Sequence, residues 1–178
     1  MPYRTRFHLV LLLSLGVVGA ACSVERAAGP RSTDPSSLLG LFDQRPSLLT
    51  CPSGPGQSAS ALIGPLGGVL AVGGTRVVIP ANAVLSPTTF TLTVPESKYV
   101  EIDVRTDASE HYVFSQPVLV TLDYSRCGRS DLLRAPLSAW NIDPQTKALL
   151  EPMVSVDDKL TQTVTFTTLH FSGYAVAD

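Results

Sequence analysis

The tripeptide His170-Phe171-Ser172 is the part of this chain whose residue types and order could carry chemistry. In self-cleavage at such a tripeptide, the serine hydroxyl attacks the preceding carbonyl carbon with help from the histidine, and the resulting ester hydrolyses. The backbone would be cut between Phe171 and Ser172, which would release residues 172–178. This reaction needs a strained peptide and a base within hydrogen-bond reach of the hydroxyl. The simpler interpretation, which we favour, is a strand in which His170 and Ser172 face solvent beside a core Phe171.

Two groups of acidic residues have the donor types of a metal site without its spacing. His111 follows Glu110 with Asp107 nearby, and this polar stretch indicates a solvated loop. Asp157-Asp158 indicates a turn, although paired carboxylates can also hold calcium. We therefore predict no metal ion and no cofactor.

Other enzyme and ligand-binding patterns are weak or absent. Ser172 and His170 lie on one predicted strand and the chain has no G-x-S-x-G elbow, which disfavours a Ser-His-Asp hydrolase. There is also no P-loop and no G-x-G-x-x-G motif. Trp140 begins a strand beside a turn and is predicted to fill the core rather than to stack on a sugar.

Residues 1–21 have the three parts of a secretory signal peptide. Arg4 and Arg6 precede an apolar run over residues 7–18, and small residues follow at positions 19–21. The run is too short to span a bilayer, for which about 20 apolar residues are needed. We therefore predict that the working protein is exported.

Cys22 directly follows those small residues, an arrangement that resembles a bacterial lipobox. In a lipobox the cysteine is diacylated and becomes the new N-terminus, and each buried methylene contributes about 0.8 kcal/mol to anchoring. Gly19 stands where lipoboxes usually carry leucine. The alternative is ordinary cleavage after Ala21, which would leave an exposed thiol in an oxidising space. We favour lipidation, and Ser23 resembles the signal that sorts lipoproteins to the outer membrane.

The size and charge of the mature chain limit its function classes. Removal of residues 1–21 leaves 157 residues, enough for one domain and a tail. The full chain has a formal net charge of −2, which becomes −4 without Arg4 and Arg6. A mildly acidic chain without basic clusters cannot neutralise phosphates, so we predict no nucleic-acid partner.

The two remaining cysteines predict one covalent crosslink. Setting Cys22 aside leaves Cys51 and Cys127, and two cysteines in an exported chain are most simply one disulfide. A metal site is the rival interpretation, but neither cysteine has a C-x-x-C partner or a nearby histidine. We therefore predict a bridge between Cys51 and Cys127.

Residues 22–60 are predicted to form a tether ahead of the folded domain. A spacer over residues 52–60 is rich in glycine, proline and serine. Residues 35–42 carry the signals of a short helix, with Asp34 as the cap and Pro35 at the first helical position. Such a short helix is marginal unless it docks on the domain.

From Ala61 onward the hydrophobic period changes to two, as in half-buried antiparallel strands. Gly73-Gly74 predicts a tight hairpin, and residues 143–146 predict a second turn. We predict an all-β antiparallel sandwich of about nine short strands over residues 61–178. The inward positions are Phe90, Leu92 and Val94; Val100, Ile102 and Val104; Val118, Val120, Leu122 and Tyr124; and Val164 and Phe166.

Three short stretches, in order, resemble the ZU-five domain of zonula occludens proteins, netrin receptors, ankyrins and many bacterial surface proteins. They are GGVL at 67–70 with VVIPANA at 77–83, FSQPVLVTL at 114–122, and LHFSGYAVA at 169–177. The resemblance covers roughly residues 61–178. It implies a β-sandwich scaffold that binds partner proteins. It also implies the self-cleavage alternative, because some relatives cut between the Phe and Ser of this tripeptide.

The combined expectation is a non-enzymatic cell-envelope or surface protein. It would attach to the membrane through the lipid on Cys22, and its sandwich would bind an unidentified envelope or extracellular protein. A self-cleaving module that acts at Phe171-Ser172 is the alternative from a different class. A carbohydrate-binding module is a third, but it expects a row of exposed aromatic residues, and the chain has one tryptophan and five tyrosines.

Overall fold

A computed structural model describes residues 45–109, 111–128 and 136–178 of the 178-residue chain. The described residues form thirteen strands in antiparallel sheets and no helix. The predicted all-β antiparallel class is therefore confirmed, with thirteen strands rather than about nine. The predicted signal peptide, Cys22, the predicted helix over 35–42 and Glu110 lie outside the described residues. The strands are β1 Thr50–Gly54, β2 Gln57–Ile63, β3 Gly68–Val72, β4 Thr75–Ile79, β5 Thr88–Val94, β6 Ser97–Tyr99, β7 Glu101–Thr106, β8 Tyr112–Asp123, β9 Ser138–Ile142, β10 Leu149–Pro152, β11 Ser155–Asp158, β12 Thr163–Phe171 and β13 Gly173–Ala177.

Two sheets enclose one hydrophobic core. The six-stranded sheet has the order β10-β9-β13-β7-β5-β2, and the five-stranded sheet has the order β11-β12-β8-β4-β3. A short β1-β6 ladder stands beside them. Side chains of both sheets share a single buried cluster, so the arrangement is a sandwich. The chain passes directly from the five-stranded to the six-stranded sheet at Ser172, between β12 and β13.

The two-residue period places the buried faces as predicted. Phe90 and Leu92 on β5, and Val104 on β7, are completely buried. The predicted inward residues Val118, Val120 and Leu122 on β8, and Tyr124 directly after it, are completely buried too. The prediction that Trp140 fills the core is wrong, because its neighbours Ala139 and Asn141, which pair with the core residues Val176 and Tyr174, take the inward face of β9. Trp140 lies on the outer face, half-buried, and its Nε1 donates to Ser138 Oγ at 3.0 Å.

The sandwich begins before the predicted boundary at Ala61. Residues 50–54 form β1, and residues 57–63 form β2 at an edge of the six-stranded sheet. Leu49 and Cys51 are buried, and Leu48 pairs with Ala177. The tether prediction is therefore wrong for this stretch. Its small polar side chains are compatible with an edge strand, since backbone hydrogen bonds rather than side chains hold it.

The predicted turns and the predicted bridge are present. Gly73-Gly74 joins β3 to β4, and Gly73 has a φ of 58°, in the left-handed region where glycine is favoured. In the turn between β9 and β10, Asp143 Oδ1 accepts the Gln145 and Thr146 N–H groups, each at 2.8 Å. The Cys51–Cys127 disulfide ties β1 to the loop that follows β8, with Cα atoms 4.7 Å apart.

Candidate functional site

A cleft of about 740 Å³ lies on the outer face of the six-stranded sheet. Its floor is β13, because the core-facing residues of that strand are Tyr174 and Val176 and the outward ones are small. Gly173 pairs with Asp103 of β7 on one side and with Ile142 of β9 on the other. A central strand with short outward side chains between two strands with longer ones produces a groove along the sheet.

The β9–β10 turn forms one wall of the cleft. A Cβ atom at Gly173 would meet Ile142 O at 3.0 Å and Pro144 Cβ at 3.3 Å, so the turn packs closely on the floor. Lys147 ends this turn, and its Nζ lies 2.5 Å from Glu101 Oε2. Because β13 separates β9 from β7, the Lys147 side chain crosses the floor to reach Glu101.

Glu101 is the most unusual side chain of the cleft. The period of two correctly places it on the outer face, opposite Val100 and Ile102, but its side chain is only 3% exposed. Its Oε1 is buried and has no hydrogen-bond partner among the described residues. Two residues along, Asp103 forms an ion pair with Arg105 at the more open side of the cleft.

Most of the cleft residues were not candidates at the sequence level. Glu101 and Lys147 are separated by 46 positions, and nothing in the local pattern of either one signals the other. Asn141 and Gly173 also line the cleft. Only the order of strands in the sheet brings them together, and that order has no local signature.

The tripeptide His170-Phe171-Ser172 lies at one end of the cleft. His170 and Ser172 line it, whereas Phe171 is completely buried in the aromatic core. Ser172 is also buried, and its Oγ accepts a hydrogen bond from Asn141 Nδ2 at 2.6 Å. The predicted core Phe171 is confirmed. The prediction that Ser172 faces water is wrong, because the chain turns inward there as it changes sheets.

Tyr174 connects this tripeptide to the core. Its hydroxyl donates to His170 O at 2.6 Å and lies 2.9 Å from Thr168 Oγ1. It also lies 3.3 Å from His170 Nδ1. Burial raises the pKa of Tyr174, so the hydroxyl stays protonated. The His170 ring is therefore engaged with Tyr174, and the Ser172 hydroxyl interacts with the Asn141 amide and the Tyr174 hydroxyl, neither of which is a base.

We expect the protein to keep the Phe171–Ser172 bond intact. No residue from 170 to 173 has a positive φ or a cis peptide bond, and the hydroxyl lacks the base contact that attack requires. Intact-mass spectrometry at neutral pH should show one species whose C-terminus is Asp178. A pair of fragments ending at Phe171 and starting at Ser172, absent from the matched Ser172→Ala variant, would establish self-cleavage instead.

Asp157 and Asp158 are the last two residues of strand β11 rather than a turn, which corrects the prediction. The turn follows them, and Asp158 Oδ1 accepts the Leu160 N–H in it at 2.9 Å. Asp157 Oδ1 accepts the Tyr124 hydroxyl at 2.5 Å, and Oδ2 accepts Leu137 N–H at 2.8 Å. Lys159 Nζ lies 2.7 Å from the same Oδ2. Burial alone would raise the pKa of Asp157, but these three partners together hold it below its ordinary value. The carboxylate therefore has protein partners on both oxygens.

The other residues weighed as metal donors, Asp107 and His111, lie in the loop between β7 and β8. His111 lines the cleft, and its backbone N–H donates to Ser109 Oγ at 3.0 Å in the loop before β8. Glu110 lies outside the described residues. Among the residues that the structure describes, no group of three or more His, Cys, Asp or Glu side chains is close enough to hold a metal ion.

The outer face of the five-stranded sheet is unusually apolar. Val69 pairs with Val78, Val78 with Leu119, and Leu119 with Thr167, so one row crosses four strands. Leu119 is 41% exposed. We call this surface the apolar face, and its members are Val69, Val78, Val113, Leu119, Val156 and Leu169, interspersed with Thr121, Thr165 and Thr167.

No protein-family model matches this chain, and no curated protein sequence matches it. Within the described ranges, no helix has the length and apolarity needed to cross a membrane. Function must therefore be inferred from the residues and geometry of the chain itself.

Proposed function

We propose that this chain is an exported lipoprotein of the cell envelope whose ZU-five-like sandwich binds another envelope or extracellular protein. The signal peptide over residues 1–21 and the lipid on Cys22 would hold it at the outer membrane. The observation that carries the binding proposal is the apolar face. A solvated sheet face normally carries polar residues, whereas this one carries a row of aliphatic side chains.

The chemistry of the apolar face favours a protein partner over a lipid surface. Contiguous exposed apolar surface marks sites that bind proteins or membranes. Membrane-surface segments combine apolar residues with aromatic and basic residues. The apolar face has no aromatic member, and Arg76, which pairs with Thr121, is a basic residue beside it. The partner we propose therefore presents a flat, weakly charged protein surface.

The proposal predicts that one charge on the apolar face abolishes partner binding. The variant is Leu119→Glu, which places a carboxylate beside Val78 and Thr167. Loss of a central contact together with burial of a charge should weaken binding about thirtyfold or more. The matched control is Leu160→Glu, at a 90% exposed leucine in the turn between β11 and β12.

The measurement uses immobilised protein and detergent-solubilised envelope proteins of the source organism. We expect one species to be retained by the wild type and by Leu160→Glu, and to be lost with Leu119→Glu. The affinity of that purified species for all three proteins is then measured. If Leu119→Glu unfolds, Leu119→Thr keeps a strand-forming residue and removes the apolar contact. Equal retention by all variants, or a dimer of this chain on the apolar face, would contradict the proposal.

A further inference from the structure

We propose that the cleft on the six-stranded sheet binds an organic cation that carries N–H donors, an ammonium or guanidinium group. A small amine or a basic side chain of a peptide can supply this group. The site lies on the opposite sheet from the apolar face. The test of this site is therefore independent of the test of the protein-binding proposal.

The free acceptor of Glu101 is the first observation behind this site. Lys147 satisfies Oε2, but Oε1 is buried without a donor among the described residues. Buried polar atoms in native proteins are nearly always hydrogen-bonded, because an unmade bond costs about 1 to 3 kcal/mol. An N–H donor from a ligand would complete the coordination of this carboxylate.

Charge is the second observation. The cleft is lined by the carboxylates Glu101, Asp103 and Asp143, against the two cations Lys147 and Arg105. One negative charge is therefore in excess. Arg105 is 48% exposed, and an exposed ion pair contributes about 1 kcal/mol or less, so a ligand cation can compete with it for Asp103.

The remaining lining favours an alkyl chain over a sugar ring. Of the described residues that line the cleft, none is Phe, Tyr or Trp, so no flat aromatic platform is available for a sugar. Pro95, Ile142, Pro144 and Leu150 supply apolar surface that methylene groups can cover. The volume of about 740 Å³ is ample for a short alkylammonium or a single basic side chain.

Access to Glu101 Oε1 requires a side-chain movement. The atom has almost no exposed surface. Lys147, which is 32% exposed, is bonded to the same carboxylate. Its long side chain has several staggered rotamers, so it can swing aside without a change in the backbone. The ligand cation would then sit between Glu101 and Asp103, which share one face of β7 two residues apart.

The test titrates the purified exported protein with 1,5-diaminopentane and follows the Gly173 and Asp103 amide signals by NMR. The matched neutral control is 1,5-pentanediol, which has the same chain length without the charge. A blocked Gly-Lys-Gly peptide distinguishes the source of the cation. Saturable binding of the diamine, the peptide or both, with no binding of the diol, supports the site. Binding of the diol as tight as that of the cations, or no binding by any probe, overturns it.

Two variants locate the site. Glu101→Gln should weaken cation binding about tenfold or more, the equivalent of one charge-assisted hydrogen bond. The Asp103 side chain is more exposed than that of Glu101, so Asp103→Asn keeps the test usable if Glu101→Gln does not fold. Asp103→Asn should weaken cation binding several-fold. The matched control is Asp123→Asn, which removes a carboxylate from the five-stranded sheet. This variant should bind the cation with the affinity of the wild type. Unchanged affinity in both cleft variants would place the cation elsewhere and overturn the proposal.

Discussion

Replacing Cys51 and Cys127 together with alanine is expected to lower the free energy of unfolding by about 4 kcal/mol. The bridge joins residues 76 positions apart. In the chain-entropy model it restricts the unfolded chain far more than the folded one, and the effect grows with the logarithm of loop length. Both cysteines are buried, so their loss also removes some packed surface. For a domain of this size, the melting temperature should fall by on the order of 10 °C.

Urea denaturation of the double variant measures this effect. The matched control is Cys22→Ala, which changes the cysteine outside the bridge and should leave the stability of the sandwich unchanged. Wild-type protein treated with a reducing agent should reproduce the loss seen in the double variant. A stability change below about 1 kcal/mol in both reduced and substituted protein would contradict a structural role for the bridge.

Truncation of Phe90 to alanine is expected to lower the free energy of unfolding by about 4 kcal/mol. Phe90 lies on β5 of the six-stranded sheet and is completely buried. Its ring centroid lies 5.6 Å from that of Phe114 and 5.0 Å from that of Tyr112, both on β8 of the opposite sheet. It also lies 5.7 Å from Phe171. Removal of this ring leaves a cavity between the sheets that neighbouring side chains cannot fill.

Two matched variants separate this cavity effect from a general sensitivity of the strand pair. Phe90→Leu keeps most of the apolar volume and should cost clearly less than Phe90→Ala. Leu62→Ala changes a 71% exposed side chain on the adjacent β2. Its free energy of unfolding should stay within about 0.5 kcal/mol of the wild-type value. If Phe90→Ala costs no more than Leu62→Ala, the aromatic cluster does not hold the two sheets together.

Local patterns in the sequence determined the fold class and the inward faces. Side chains alternate across a strand, so the run from Val118 to Tyr124 identified its buried residues without reference to any partner strand. The turns at Gly73-Gly74 and at Asp143 could also be predicted from local sequence, because each depends on backbone angles or hydrogen bonds within a few residues. The disulfide followed from counting once Cys22 was set aside as the predicted lipidation site, because the two remaining cysteines allow one pairing.

Only the tertiary structure decided which strands are neighbours, and the cleft depends on that order. Gly173 forms part of the cleft floor because β13 lies between β7 and β9. The same strand order brings Lys147, which follows β9, to Glu101 on β7. The edge strand β2 was missed because its small polar residues look like a linker, whereas backbone hydrogen bonds to β5 hold it. Strand pairing joins residues far apart in the chain through backbone groups that every residue carries. Its partners therefore leave little trace in any single stretch of sequence.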